Sequence, residues 1–190
     1  MLENKKILAI TLARGGSKRL PRKILADING KKCIDRVIER AKKSQLIEEF
    51  WLATTKMKSD DILERIAKKN DIKFHRGSTN NVLSRFYSIT KNTHADIVIR
   101  VTGDCPLIDH EVINKGIKFF INNKYDYVSN TIDRTYPDGL DVEIFSRKAL
   151  EKAYKKARHP FLLEHVTPFI HGNVKNKLIH GNFKIGQFLN

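Results

Sequence analysis

The chain has 190 residues, 41 % of them apolar, and carries 36 Lys and Arg against 21 Asp and Glu, a formal net charge of +15. That length suits one compact domain able to bury a core without disulfides or a structural metal. The apolar residues are dispersed among charges and form no run of about eighteen or more, which excludes a helical membrane span and argues against disorder.

The first residues, Met1 to Lys6, run into a short apolar stretch, Ile7 to Ala13, followed by Arg14 rather than a small-residue cleavage site. The pattern predicts a buried strand over residues 6–13, not a signal peptide. After a basic, glycine-containing loop, Ile34, Val37, Ile38 and Ala41 recur at helical spacing, which predicts an amphipathic helix over Cys33 to Ser44. A second strand is expected at Phe50 to Thr54. Asp60 or Asp61 opens a helix bearing Ile62, Leu63, Ile66 and Ala67, and a third strand follows at Ile72 to His75.

A helix over Val82 to Lys91 precedes a β-branched run, Asp96 to Val101, that reads as a central strand. Asp109 suits the N-terminus of a helix whose stripe is Val112, Ile113, Gly116, Ile117, Phe120 and Ile121. Tyr127 to Asn130 and Asp141 to Phe145 read as strands. Ser146 caps a helix with Ala149, Leu150, Ala153 and Tyr154, and His159-Pro160 marks a break before residues 161–171, whose type the pattern leaves open. Repeated β-α units predict a single-domain, three-layer α/β/α fold with a mostly parallel sheet and helices on both faces.

Two strand-end loops carry the chemistry. Residues 12–23 combine Gly15 and Gly16, whose backbone N–H groups approach an anion without a Cβ in the way, with Arg14, Lys18, Arg19, Arg22 and Lys23. This is neither a Walker A sequence nor a dinucleotide fingerprint, so a P-loop NTPase and a Rossmann dehydrogenase are disfavoured. Read alone, the loop is equally a polyphosphate cradle or a solvated basic turn. Thr102-Gly103-Asp104-Cys105-Pro106 leaves the central strand and places a carboxylate at the sheet's edge, a hard oxygen ligand suited to Mg²⁺ with substrate phosphates, or else an aspartate bonded to its own turn. Cys33 and Cys105 are the only cysteines, without a CxxC or Cys/His grouping, so neither zinc nor a redox pair is expected and a reducing cytoplasm is the simplest home. The positive charge invites a nucleic-acid reading, but lysines such as Lys68-Lys69 and Lys155-Lys156 are spread along the chain rather than localised.

In their order, ARGGSKRLPRK (13–23), ATT (53–55), FHRGS (74–78), RVTGDCPLID (100–109), YVSNT (127–131), TYPDGLDVEIFS (135–146) and EHVTPFI (164–170) resemble the cytidylyltransferase family of acylneuraminate and 3-deoxy-octulosonate activating enzymes, and within it the branch of the spore-coat polysaccharide biosynthesis protein F. The likeness covers nearly all of residues 6–172. It implies a nucleotide-diphospho-sugar transferase fold, CTP and an acidic sugar as substrates, Mg²⁺ as cofactor, and a homodimer, with neither a membrane nor a specific nucleic acid as partner. Carried over by position, Arg14 and Lys23 hold the triphosphate, Ala13, Gly15, Gly16 and Ser17 add backbone contacts, and Lys18 adds charge. Arg76 and Ser78 contact the nucleotide, Asp104 binds the metal with Asp141 as a second candidate, and Asp138, Asp141, Glu143, Glu164 and His165 face the sugar. Pro137-Asp138-Gly139 reads equally as a tight turn, and His165 equally as packed near Phe161 and Phe169.

Two positions depart from the family pattern. Ser84 stands where the branch usually has aspartate. The chain stops at residues 183–190, where relatives continue into a Val-Asp-Thr-type segment that supplies another metal-binding acid, so the single domain 1–190 is expected to be shortened at its C-terminus, and Asp141 or Glu143 substitutes, one metal suffices, or activity is weak. The implied activity is transfer of CMP from CTP to an acidic sugar. The alternatives are a catalytically weak nucleotide- or nucleic-acid-binding domain and a nucleotide-sugar glycosyltransferase, although the Asp-x-Asp motif of the latter is absent from residues 102–106.

Overall fold

A computed structural model describes residues 5–16, 20–172 and 182–190. In chain order the strands are β1 (Ile7–Leu12), β2 (Asp27–Ile28), β3 (Lys31–Lys32), β4 (Glu49–Thr55), β5 (Lys73–Gly77), β6 (Ile97–Thr102), β7 (Tyr127–Ser129), β8 (Val142–Ser146) and β9 (Ile185–Gln187). The α-helices are α1 (Cys33–Ala41), α2 (Asp61–Lys69), α3 (Val82–Thr93), α4 (His110–Asn123), α5 (Arg147–Lys156), α6 (Pro160–His165) and α7 (Pro168–His171).

Seven strands form one sheet in the order β5-β4-β1-β6-β8-β7-β9, while β2 and β3 make a separate small hairpin. β1 pairs in parallel with β4 and β6, β4 with β5, and β7 with β9. β8 alone runs against its neighbours β6 and β7. The mostly parallel α/β expectation therefore holds, with one reversed strand that side-chain periodicity does not encode.

Alternation along β1 sends Ile7 and Ala9 to one apolar layer and Leu8 and Ile10 to the other. The first layer takes the stripes of α1, α2 and α4, including Val37, Leu63 and Ile117; the second takes α3, α5 and the α6–α7 pair, including Phe86, Leu150 and Phe169. Because both faces of the central strands are covered, they read as near-continuous apolar runs. The expected caps form as well, with Asp109 accepting from the Glu111 N–H (2.7 Å) and Ser146 from the Ala149 N–H (3.1 Å).

The order also fixes where a ligand binds. From β1 the chain moves outward through β4 to β5, then returns to the other side of β1 as β6. The connections leaving β1 and β6 diverge, and a crevice opens at the carboxyl ends of these two strands, as open α/β sheets require at such a switch point.

Candidate active site

That crevice is a cleft of about 480 Å³ bordered by Leu12, Ala13, Arg14, Lys23, Ile24, Val82, Arg85, Arg100, Thr102, Asp104, Glu164 and His165. Arg14, Lys23 and Asp104 thus meet around one space, joined by Glu164 and His165 from α6.

Each is delivered by local backbone chemistry. Sheet pairing continues one residue past β1, where the Ala13 N–H donates to the Ala53 carbonyl (3.3 Å). The Gly15 N–H then donates to Asp60 Oδ1 (2.8 Å), and the Gly15 carbonyl accepts from the Arg22 N–H (3.3 Å), closing the base of the loop. Arg22 adopts φ 57°, a left-handed turn that sends Lys23 back toward the cleft, and Ile24 anchors this turn in the core at 4 % exposure. From β6, Gly103 passes so close to β1 that a Cβ would stand 2.2 Å from the Leu12 carbonyl oxygen. Only glycine permits that approach, and it sets Asp104 beside the loop, where its carboxylate pairs with the Lys23 ammonium.

On the opposite wall, Arg14 Nη2 meets Glu164 Oε1 at 3.2 Å, both side chains being about half exposed (45 % and 48 %). Among the described residues, the two loop cations facing the cleft are therefore each covered by a carboxylate. Glu164 and His165 are held there by a tight backbone turn in which Val166 takes φ 71°, ψ −59° and the Thr167 N–H donates to the His165 carbonyl (2.9 Å). Positive φ at a β-branched residue is strained, and a fully buried Val166 side chain holds it in place. His165 both borders the cleft and packs on Phe161, their ring centroids 4.4 Å apart.

Arg85, like Arg100 and Thr102, is a cleft residue that sequence reading missed. It lies on the apolar face of α3 among Val82, Phe86 and Ile89, is 2 % exposed, and faces no carboxylate within ion-pair distance among the described residues. Its Nη1 makes one long contact with the Ala53 carbonyl (3.5 Å), and its Nε has no hydrogen-bond partner. Burial, and then the nearby Arg14, push its pKa down to about 10, against a smaller opposing pull from Asp60. Its stem fits because Gly77 lacks a Cβ, which would fall 2.6 Å from Arg85 Cγ. The available signal was a charge interrupting an apolar stripe, since a buried unpaired guanidinium is costly unless an anion completes it.

Other expected residues are placed elsewhere. Glu143, read as facing the sugar, is 7 % exposed and turned inward. It pairs with Arg100 and accepts from the Tyr127 hydroxyl (2.7 Å) and the Thr167 hydroxyl (2.6 Å). Burial raises its pKa, but Arg100, Thr167 and Tyr127 outweigh that and hold it below the ordinary carboxylate value. Its location follows from alternation on β8, which aims it at the layer under α7. Asp141 is gripped at both oxygens by Arg134 (2.9 and 3.0 Å), which also holds the outward-facing Asp138. Pro137-Asp138-Gly139 is a tight turn, with Gly139 at φ 95° and the Leu140 N–H donating to the Pro137 carbonyl (3.3 Å).

Arg76 borders a separate hollow of about 670 Å³ with Arg22, Lys58 and Arg65. It is committed there to Asp61 and Glu64 and to the carbonyls of Thr55 and Met57. The Ser78 oxygen accepts from the Asn81 N–H (3.1 Å). Ser84 stays local, its N–H and hydroxyl both bonded to Asn81 rather than to Arg85. Gly16 is exposed, and Ser17 and Lys18 lie outside the described residues. No group of three or more His, Cys, Asp or Glu arranged for a metal occurs among the described residues, so any metal here relies on fewer protein ligands. No helix among them is long and apolar enough to cross a membrane.

Comparison with known proteins gives the following similarities. A family model described as cytidylyltransferase matches residues 8–188. An uncharacterized protein of Methanocaldococcus jannaschii is 38 % identical over 168 residues, covering 88 % of this chain and 68 % of that protein. The spore coat polysaccharide biosynthesis protein SpsF of Bacillus subtilis is 31 % identical over 174 residues, covering 86 % and 69 %. The solved structure of a cytidylyltransferase from Leptospira borgpetersenii is similar at a TM-score of 0.90 with 34 % identity, covering 98 % of this chain and 77 % of that one.

Proposed function

The chain belongs to the cytidylyltransferase family, and from that premise we propose that it transfers CMP from CTP to a hydroxyl of an acidic sugar, releasing pyrophosphate, in the biosynthesis of a surface polysaccharide or glycan. The observation that carries this reading is the meeting of Arg14, Lys23, Asp104 and Arg85, the last without a carboxylate partner among the described residues, in one cleft at the switch point of the sheet.

The β- and γ-phosphates occupy the loop side, where phosphate oxygens take the places now held by the Glu164 carboxylate on Arg14 and the Asp104 carboxylate on Lys23. These cations then neutralise charge on the departing pyrophosphate, and positioning with charge neutralisation is most of what phosphoryl transfer asks of a protein. The sugar oxygen forms a bond to the α-phosphorus as the bond to the bridging oxygen of pyrophosphate breaks, and the hydroxyl proton passes to the departing pyrophosphate or to solvent water. No side chain is assigned as its base.

Asp104 is the residue that would hold Mg²⁺. It borders the cleft at 27 % side-chain exposure, and one carboxylate with substrate phosphates is an ordinary Mg²⁺ set. The ion supplies charge neutralisation on the phosphate oxygens. Arg85 supports the acidic character of the ligands, because a buried cation lacking a protein counter-ion is stabilised by an anionic group brought into the cleft. Choice of cytosine rests on the family alone.

The direct test is pyrophosphate release across the four ribonucleoside triphosphates with a panel of nonulosonic and octulosonic acids and neutral sugars. Release that requires both CTP and an acidic sugar is expected. Absence of CTP-dependent release with every acceptor would overturn the proposal.

A further inference from the structure

The structure assigns Asp60 as the positioning residue of the phosphate-binding loop, a role that rests on that loop binding a polyphosphate as proposed above. By sequence Asp60 opens α2, and it does stand at the N-cap position. Yet its carboxylate makes no capping bond. It turns away from the helix and is 1 % exposed, with Oδ1 accepting from the Gly15 N–H (2.8 Å) and Oδ2 from the Thr55 hydroxyl. The Thr55 oxygen also accepts from the Met57 N–H (3.1 Å), and its own proton goes to the carboxylate, which can only accept.

A carboxylate withdrawn from water is costly unless its acceptors are filled, and forgoing a cap gives up further helix stability. A local rule broken at such cost points to a task elsewhere. Here the task is geometric. Asp60 holds Gly15 by its N–H while the Arg22 N–H holds it by its carbonyl, so the two peptide groups flanking the Gly15 Cα are both pinned. From that fixed point the chain leads through Arg22 to Lys23, and Arg14 is the adjoining residue. The Gly15 amide is thereby spent on Asp60 rather than on a phosphate. The fit is close, since a Cβ on Gly15 would lie 3.1 Å from Asp60 Oδ1.

Geometry and charge predict opposite signs, which makes the assignment testable. Electrostatically Asp60 opposes anion binding, because it sits near Arg85 and a cationic loop. If it only balanced charge, its removal would tighten anion binding. As a positioning residue, its removal loosens the loop and weakens binding despite the lost negative charge.

The experiment is calorimetric titration of the full chain with inorganic tripolyphosphate, comparing wild type, Asp60→Ala and Asp60→Asn, with thermal unfolding as the check on folding. Asp60→Ala is expected to weaken binding about tenfold or more. Asp60→Asn keeps an oxygen for the Gly15 N–H and is expected to stay within about threefold of wild type. Unchanged or tighter binding by Asp60→Ala overturns the assignment, as does a wild type that binds no tripolyphosphate. If Asp60→Ala does not fold, Thr55→Val replaces it: the carboxylate stays but loses the donor that fixes its rotamer, so weakened binding supports the assignment and unchanged binding overturns it. Tripolyphosphate has neither base nor sugar. A wild type that binds it but releases no pyrophosphate from CTP therefore sinks the functional proposal while leaving Asp60 testable.

Discussion

The Lys23 ammonium and the Asp104 carboxylate, 81 residues apart in sequence, form an ion pair at the point where the loops after β1 and β6 diverge. Their meeting makes one site of two loops, each of which read alone also fits an ordinary turn.

Replacing Asp104 with alanine is expected to lower pyrophosphate release by about 10²–10³-fold or more. Because the pair is partly exposed, the thermal unfolding midpoint should hardly move. Turnover equal to wild type would refute the assignment of Asp104 to the phosphates and their metal.

Arg85→Met should separate activity from stability. Methionine fills similar space without burying an unpaired charge, so stability is expected to hold or to rise by about 1–2 kcal/mol. Catalytic efficiency should fall by about 10²-fold, as expected when a preorganised cation is removed. Denaturant unfolding beside steady-state kinetics checks both, and a variant that unfolds more easily while keeping full activity would show that Arg85 serves the fold.

Glu143→Gln leaves Arg100 without a counter-charge inside the protein and disturbs the bonds from Tyr127 and Thr167. Breaking one partner of such a buried pair costs about 3–5 kcal/mol, which for a chain of this size lowers the melting temperature by roughly 6–20 °C. A melting temperature equal to wild type would mean that Glu143 is not the buried counter-ion.

Glu49 supplies a pH test away from the cleft. Burial raises its pKa, but hydrogen bonds from Lys6, Trp51 and Lys73 outweigh that and bring it down to about 2. The folded value lies below the unfolded one, so the unfolded chain binds the proton first as pH falls. The stabilising contribution is therefore present above about 4.5 and lost progressively toward 2. Glu49→Gln should flatten the decline in stability across that window. Trp51, the only tryptophan and itself a donor to Glu49 (2.9 Å), reports unfolding by fluorescence. Equal slopes in both proteins would refute the linkage.

Much of the architecture was legible because periodicity is local. The stripe from Val112 to Ile121 gave α4, and the β-branched run after Asp96 gave β6, which is the middle strand of the seven. The short pieces were not legible: β2 and β3 span two residues each, and β9 spans three and pairs with β7. Segments so brief carry no period, and their identity as strands depends on a neighbour to bond with.

By itself the sequence determined the alternation of strands and helices, the basic glycine loop at one strand end and the aspartate at another, since each depends on residues adjacent in the chain. Only the tertiary structure decided that these two ends are neighbours, that Asp60 holds Gly15, that Glu143 is spent on Arg100, and that Arg85 faces no carboxylate within ion-pair distance among the described residues. Those outcomes depend on strand order, the reversal of β8 and the close passage of Gly103 by Leu12. They are relations between residues 40 or more positions apart, where partnership is set by which strands pair and which face each side chain takes.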